Sequence, residues 1–547
     1  MFLYSFCNNI PLKKIVSRLT YPSPSAKIKA VYTHQTEKEK IMSSKIEKPN
    51  KNPLWQTTRS ERQSYYLYFF GQNMIYSLLA GFLTTYLVFK EIDPVMSGIV
   101  VTIVKVWDAV NDAIFGVIFD KIKFKSGKKY IPWLKIACAL TPAATVAVFA
   151  IPSAAPEMVK LIWFALAYIV WDTAYTICDV PAFGIITAMT DQIEERNTII
   201  SLKGITGGIG SALTTVLVTL FIGQTINIGY GPTAVIIAIV AAATMFPICR
   251  KCQERNKPEV EEEFTVRSMI KYVVSNKYLL VYYLGYIFYS GAQTYTALNL
   301  LTAYYIFGNE LISLVTGTVA AAPQLIMALL VPRIIRKIDK FSLFKICVIA
   351  TIALSVPLYF TQNNLILFII MFMLRSIPLG VVGVLSFTFT PDCAEYGQFT
   401  TGTEAKGITF AIQTFAVKLA AAVSSGLGLV LLGFFNFRTK FMGAEIENID
   451  QLVEQGLVKL QEDGAVKIET FANYQAIDAV SMQSTEAING LWFTYNVVPI
   501  IGLVVALGIW LLYRLKDNQV QIMADCNAGK ISKAEATKLL EETGYKG

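Results

Sequence analysis

Charged residues are scarce in this chain. Only 16% of its 547 residues are Asp, Glu, Lys or Arg, and 54% are hydrophobic, whereas a soluble globular chain carries about 25% charged residues. This balance excludes a soluble enzyme and a disordered chain, and the eight cysteines are too few for a disulfide scaffold. The apolar residues fall in blocks longer than core helices need, which indicates a polytopic helical membrane protein.

Motifs of enzyme and nucleotide sites are also missing. The sequence has a single histidine, His34, so we expect neither a zinc site nor a histidine relay. The stretch GITGGIG at 204–210 begins an apolar segment with no strand before it, which favours close helix packing over phosphate binding. The net charge of +9 comes from basic residues in short gaps between apolar blocks. We therefore expect no enzyme activity, no cofactor and no nucleic acid partner.

Twelve apolar segments, each near or above the roughly 20 residues that span a bilayer, form two sets of six. They lie at about 64–90, 95–119, 131–151, 158–188, 198–223, 231–250, 278–307, 311–335, 343–361, 364–391, 405–434 and 488–514. A charged stretch at 250–267 separates the two sets. This arrangement predicts an all-α membrane protein of 12 transmembrane helices in two six-helix bundles.

The segments also set the expected domain boundaries. These are an N-terminal extension at 1–60, a six-helix bundle at 61–250, a linker at 251–277, a second bundle at 278–514 and a tail at 515–547. We expect the extension to be disordered, with Met42 as an alternative start.

An insert at 435–487 separates the last two segments and carries more acidic than basic residues. It is predicted to lie outside the cell and to contain one or two short amphipathic helices, because its apolar residues keep helical spacing. Those residues are Ile449, Leu452, Val453, Leu457 and Leu460. A gate over the outer mouth and a solvated surface insert remain alternatives.

Lysine and arginine define the topology. The gaps after segments 2 and 8 read DKIKFKSGKK and RIIRKIDK, and the linker between the bundles is basic too. The positive-inside rule then predicts that both termini lie in the cytoplasm. We expect a multi-pass protein of the plasma membrane.

Carboxylates inside the spans are the main functional signal, because a charge in a spanning helix costs about 2.5–3.5 kcal/mol. Asp108 and Asp112 are four residues apart and share a helix face. Asp172 and Asp179 share a face of segment 4, with the hydroxyl of Thr176 between them. Such a group of oxygens suits a hard cation or a proton.

Pairing with basic residues is the alternative explanation. Lys105, Lys203, Arg375 and Lys418 all lie in apolar surroundings and could neutralise these acids. The sequence alone leaves both a cation site and structural ion pairs open.

Four motifs resemble those of the glycoside–pentoside–hexuronide:cation symporters. They are WDAVNDAIFG followed by a basic loop and PW, TICDVPAFG, DCAEYGQF, and QTFAVKLAAA. The resemblance covers about residues 60 to 515. It implies the major facilitator fold and sugar uptake coupled to Na⁺, Li⁺ or H⁺.

Site residues are carried over by the same resemblance. The implied cation-binding residues are Asp108, Asp112, Asp179, Thr176 and Asn111. The implied substrate-binding residues are Gln72, Asn73, Trp171, Asp172, Asp179, Phe183 and Lys203. The resemblance adds Lys418 and Gln413 to an expected charge network, and Lys105 and Arg375 join it because they lie in apolar surroundings.

The substrate positions depart from the family pattern. Gln72-Asn73 stands where a familiar member of the family has Lys-Asp, and Phe183 stands where that member has a tryptophan. We expect a monomeric symporter in the lipid bilayer whose partners are a small sugar or glycoside and the coupling cation. A neutral pentoside or glucoside is the leading substrate class. A cation-coupled carrier of a lysolipid or another non-sugar substrate is the nearer alternative, and a non-transporting membrane sensor is the more distant one.

Overall fold

The computed structural model describes residues 55–255 except 123, 224, 225 and 227, and then residues 272–402, 406–446, 448–461, 464–468 and 483–545. Most of the extension at 1–60 and of the linker at 251–277 lies outside these residues, as does part of the insert. The described chain is almost entirely helical.

The described residues of the N-terminal half form seven helices. They are α1 (Arg59–Phe89), α2 (Pro94–Lys121), α3 (Ile131–Val148), α4 (Glu157–Met189), α5 (Ile193–Ile222), α6 (Tyr230–Met245) and the short α7 (Pro247–Lys251). Helix α1 packs against α5 and α6, and α4 packs against α2 and α3.

The helices of the C-terminal half follow. They are α8 (Lys277–Gly291), α9 (Tyr295–Phe307), α10 (Ile312–Ile334), α11 (Lys340–Tyr359), α12 (Leu365–Ser386), α13 (Phe389–Thr401), α14 (Lys406–Phe434) and, after the insert, α16 (Thr485–Trp510). The tail folds into α17 (Asp517–Asn527) and α18 (Lys533–Glu542), which the sequence patterns did not predict.

Side-chain caps fix where several of these helices begin. Thr58 and Glu61 form a reciprocal capping box at the start of α1, and Asp93 caps α2 just before Pro94. These caps satisfy backbone N–H groups that have no partner within the helix.

Nine helical stretches among the described residues are long and apolar enough to cross a membrane. Helices α1 and α2 are longer than such a span but carry more polar residues. The predicted span at 278–307 is interrupted at 292–294, between α8 and α9. The expectation of a helical, multi-pass membrane protein is confirmed, and the number twelve stays a prediction.

The principal contacts between the two halves lie at one end of the bundle, which we call the closed end. There α2 packs closely on α14, and a side chain at Gly98 or Gly426 would strike the backbone of the other helix. Gly433 of α14 lies against Val95 in the same way. Glycines at these positions let the two backbones approach.

The insert also lies at the closed end. It forms a three-stranded antiparallel sheet of β1 (Phe441–Met442), β2 (Lys459–Leu460) and β3 (Ala465–Lys467), in the order β1-β3-β2, and a short helix α15 (Ile449–Glu454). The prediction of helix was therefore right for Ile449 and wrong for Leu460, which lies in a strand.

The insert belongs to the C-terminal half and contacts the N-terminal half. Its buried residues Phe441, Val466 and Ile468 belong to the same apolar cluster as Phe89 at the end of α1. Gln461 Nε2 donates a hydrogen bond of 3.4 Å to Glu91 Oε2 in the loop between α1 and α2.

The Glu91 carboxylate contacts both the insert and α4. The backbone N–H of Ile468 bonds to its carboxylate, and Lys160 Nζ lies 3.9 Å from Oε2. Burial raises the pKa of the Glu91 carboxyl, an effect that Lys160 and these hydrogen bonds partly offset.

Replacement of Gly426 by alanine tests the close contact at the closed end. The new Cβ would collide with Thr102 Oγ1 and lie 2.8 Å from the Gly98 carbonyl oxygen. We expect Gly426→Ala to destabilise the protein by about 1–3 kcal/mol, seen as a lower melting temperature in detergent. Gly428→Ala is the control, because its Cβ would meet Leu298 at an ordinary 3.6 Å. Equal melting temperatures for the two variants would contradict this packing.

Deletion of residues 444–480 tests whether the insert is needed for membrane insertion. We expect the shortened protein to reach the membrane folded, because spanning helices satisfy their backbone hydrogen bonds internally. Its melting temperature should fall, since Ile446, Val458, Val466 and Ile468 are buried and would be lost. Abundance in the membrane fraction and gel filtration in detergent measure the result, and loss from the membrane would show that the insert is part of the bundle.

Candidate substrate and cation site

An ion pair joins the two halves between α2 and α14. Lys418 Nζ lies 2.6 Å from Asp108 Oδ1, and both side chains remain about one-quarter exposed, at 25% and 26%. On the same two helices, Lys105 Nζ donates to Ser425 Oγ at 2.6 Å. Of the four cations that the sequence offered as partners, Lys418 is the one that pairs with Asp108.

A buried polar cluster joins α2 to α4. Asn111 Nδ2 donates to Thr176 Oγ1 at 3.0 Å and lies 3.3 Å from Asp172 Oδ2. All three side chains are at most 5% exposed. Asp172 is therefore directed at α2, away from the exposed face of α4.

A third contact joins α1 to α4. Gln72 Nε2 donates to Asp179 Oδ1 at 2.6 Å, while the buried Gln72 Oε1 has no hydrogen-bond partner. Lys203 of α5 is close enough to Asp179 for the two charges to attract each other. Its Nζ is 3.3 Å from the ring centre of Phe183 and 4.0 Å from that of Phe69, so two rings flank the ammonium group.

Tyr76 connects the first and third contacts. Its hydroxyl is within electrostatic range of Asp108, Asp179 and Lys418, and of Tyr286 on α8. The side chain is nevertheless 47% exposed. Asp108 and Lys418 beside it are also about one-quarter exposed, so an open cleft lies between the halves at this level.

Tyr76 and Tyr175 are cleft residues that the sequence analysis missed. Their rings lie 5.8 Å apart, and Tyr175 stacks on Trp171 at 5.0 Å. The available signal was helical spacing, since Tyr76 follows Gln72 by four residues and Tyr175 precedes Asp179 by four. The Trp171 indole N–H is bonded to Thr145 of α3.

Three expected residues lie apart from these contacts. Asn73 donates to the Phe69 carbonyl at 2.8 Å and packs against Gly207 of α5. Gln413 accepts hydrogen bonds from Thr390 at 2.5 Å and Tyr283 at 3.4 Å, within the C-terminal half. Arg375 is buried between aromatic rings of that half.

Part of the expected cation-binding set lies within the described residues. The side chain of Asp112 is outside the described part of the structure. Among the side chains that are described, no three carboxylates, thiols or imidazoles are grouped as a metal site requires. The arrangement does bring Asp108 and Asp179 to one cleft, with Asn111 and Thr176 on the neighbouring turns of α2 and α4.

Two helical bundles that meet at a charged, water-accessible cleft define a membrane carrier of the major facilitator type. A solved bacterial homologue of the human lysosomal transporter Spinster, inward-facing and unoccupied, matches this fold with a TM-score of 0.55. The match covers 83% of this chain and 95% of that one at 12% identity, which establishes the fold alone.

The sequence relatives are more specific. A family model described as MFS/sugar transport protein matches residues 64–455. The isoprimeverose transporter of Lactiplantibacillus pentosus is 22% identical over 481 residues, 85% of this chain and 91% of the transporter. The glucuronide carrier protein homolog of Escherichia coli strain K12 is 23% identical over 384 residues, 67% and 82% of the two chains.

The chain therefore belongs to the glycoside–pentoside–hexuronide group of the MFS sugar transport family. Membership of a transporter family confirms the expectation of a carrier over an enzyme.

Neutralising the pair that joins the halves tests its structural role. Asp108→Asn or Lys418→Gln alone leaves one charge in the cleft without its partner, and each should lower the melting temperature in detergent. The double variant should recover part of the loss, with a coupling free energy of about 0.5–3 kcal/mol, nearer the lower end because the pair is partly exposed. Strictly additive losses would show that the two side chains do not stabilise each other.

Proposed function

We propose that the protein is a secondary active symporter that takes up a sugar or glycoside together with Na⁺, Li⁺ or H⁺. It works as a monomer in the plasma membrane, with both termini in the cytoplasm and the closed end facing outward. The observation that carries the proposal is the cleft between the halves, onto which the partly exposed Asp108–Lys418 pair opens and beside which Gln72 bonds to Asp179.

The cation binds on the α2–α4 side of this cleft. Asp108 and Asp112 supply carboxylates one turn apart, Asp179 supplies a third, and Asn111 and Thr176 supply neutral oxygens. In the absence of the cation, Lys418 neutralises Asp108. A bound cation takes over that neutralisation and so weakens one link between the halves, which couples its binding to the movement between them.

The sugar binds beside the cation. Gln72 has a free carbonyl oxygen, Asp179 accepts hydrogen bonds, and Phe183 is 50% exposed. Such a combination of hydrogen-bonding groups and an aromatic face suits a sugar ring. The relatives named above, an isoprimeverose transporter and a glucuronide carrier homolog, support the same substrate class.

The energy available is sufficient for accumulation. One positive charge moving down a 100 mV potential releases about 2.3 kcal/mol, and a tenfold cation gradient adds about 1.4 kcal/mol. Uptake of a panel of labelled glycosides into vesicles, with and without Na⁺ and at several pH values, identifies both the sugar and the cation. Uptake that no cation gradient stimulates would contradict the proposal.

Replacement of Asp112 tests the cation site separately from the sugar site. We expect Asp112→Cys to abolish cation-driven accumulation, because the pair with Asp108 loses one of its two carboxylates. Exchange of substrate at equal concentrations should survive better than uphill uptake. Asp525→Cys is the control, since it removes a carboxylate from α17, outside the spans. Normal accumulation by Asp112→Cys would remove Asp112 from the cation site.

A further inference from the structure

A cavity of about 420 Å³ lies in the C-terminal half, at the end opposite the closed end. Its walls are the first turns of α8 and α11, the segment at 511–516 that follows α16, and parts of the tail. Helix α16 begins directly after the insert, so the segment that follows its last residue lies at the other end of the bundle. None of the described residues that line the cavity belongs to the candidate substrate and cation site, so the cavity is a separate feature.

The cavity carries an excess of positive charge. Its basic lining residues are Lys345 on α11 and Arg514 and Lys516 in the segment after α16. Among the described residues, no carboxylate lies within salt-bridge distance of these three side chains. Asp339 is the acidic residue of the described lining, and both of its oxygens are already used. Oδ2 accepts from the backbone N–H of Ser342 and Oδ1 accepts from that of Asp517, each at 3.0 Å.

Aromatic side chains form a fixed wall of the cavity. The ring of Tyr513 lies 4.3 Å from that of Phe341 and 5.2 Å from that of Tyr278. All three residues are buried in the core of the C-terminal half. Lys345 Nζ lies 5.2 Å from the centre of the Phe341 ring, and Arg514 is close enough to the Tyr278 hydroxyl to interact with it electrostatically. The basic groups therefore stand beside a wall that belongs to the folded core.

An apolar edge distinguishes this cavity from a site for a soluble anion. Leu511 lines the cavity and is 60% exposed, and Leu512 beside it is 62% exposed. Both directly follow the membrane span of α16, and Ile346 at the start of the α11 span is exposed as well. Apolar residues in these places face acyl chains, whereas Arg514 and Lys516 follow at the level of the lipid headgroups. Cations beside an apolar edge match an amphiphile with an anionic head.

We propose that this cavity binds the phosphate headgroup of an anionic phospholipid from the leaflet at this end of the bundle. Lys345, Arg514 and Lys516 bind the phosphate, and the acyl chains leave the cavity over Leu511 and run along α16. The guanidinium fork of Arg514 matches two phosphate oxygens, and the two ammonium groups add point charges. In the proposed orientation this leaflet is the cytoplasmic one, where basic pockets between spanning helices meet anionic lipids.

The lipid also connects the tail to the bundle. Gln519 of α17 and Tyr545 after α18 line the same cavity as the bundle residues. The tail is already attached through the backbone N–H of Lys340, which donates to Asp517 Oδ2 at 2.8 Å. A headgroup that contacts both the tail and the bundle stabilises their association. Bound lipid should therefore slow hydrogen exchange in α17 and α18.

Lipid binding to the purified protein tests the cavity. Delipidated protein in detergent is titrated with phosphatidylglycerol, with phosphatidylcholine, whose phosphate carries no net charge in the whole headgroup, and with soluble glycerol 3-phosphate. Native mass spectrometry resolves each complex and gives its affinity. We expect phosphatidylglycerol to bind more tightly than the other two. Arg514→Gln should weaken its binding by about threefold to tenfold, the effect of one basic residue beside anionic lipid, and Arg514→Lys should keep most of it.

Arg336→Gln is the matched control. Arg336 is exposed between α10 and α11 at the same end of the bundle, but it does not line the cavity. The control variant should keep the wild-type affinity and the lipid-dependent slowing of hydrogen exchange in the tail. Lys345→Gln should weaken binding as Arg514→Gln does, and because it lies on another helix, it decides the result if Arg514→Gln fails to fold.

Three results would overturn the inference. They are equal affinities for phosphatidylglycerol and phosphatidylcholine, equal affinities in Arg514→Gln and Arg336→Gln, and binding of glycerol 3-phosphate as tight as that of phosphatidylglycerol. The last result would replace the lipid by a soluble phosphate ester. None of these measurements requires transport, so the inference and the proposed symport function are tested independently.

Discussion

The structure depends on how charged side chains are neutralised inside the lipid bilayer, where the lipid-facing surface of the protein has no contact with water. Three aspartates in the middle of α2 and α4 each have a partner on another helix: Asp108 has Lys418, Asp172 has Asn111 and Asp179 has Gln72. These contacts join α2 to α14, α2 to α4 and α1 to α4. The pairing of these aspartates therefore determines which helices are in contact. It also determines that α2 and α14 link the two halves.

Neutralisation within one half differs in its surroundings from neutralisation between the halves. The Asn111–Asp172–Thr176 cluster is buried within the N-terminal half, so it can persist while the halves rotate as rigid bodies. The Asp108–Lys418 pair crosses the cleft and stays accessible to water. A coupling ion acts most directly on the second kind of contact, because there a change of charge alters the relation between the halves.

The sequence predicts the helices and their polar faces, but it does not predict which side chains pair with one another. The four-residue spacing placed Asp108 with Asp112 on one face, and the apolar lengths located the spans within a few residues. Choosing Lys418 among four cations requires the packing of α2 against α14, which no local pattern encodes. The break at 292–294 and the strand at Leu460 were missed for the same reason: both are set by contacts with distant residues, such as Thr494 for the break.

The insert behaves as a ligand that the protein carries on its own chain. It is attached to the C-terminal half and contacts Glu91 of the N-terminal half. Its effective concentration at that contact therefore depends on the length of the connecting chain and is independent of the protein concentration. Opening the closed end has to release it, and closing the end recovers the same contacts. Because burial raises the pKa of Glu91, a lower pH at the closed end favours the attached form: the protonated carboxyl is easier to bury than the ionised one. A contact of this kind therefore links the closed end to the pH of the solution beside it.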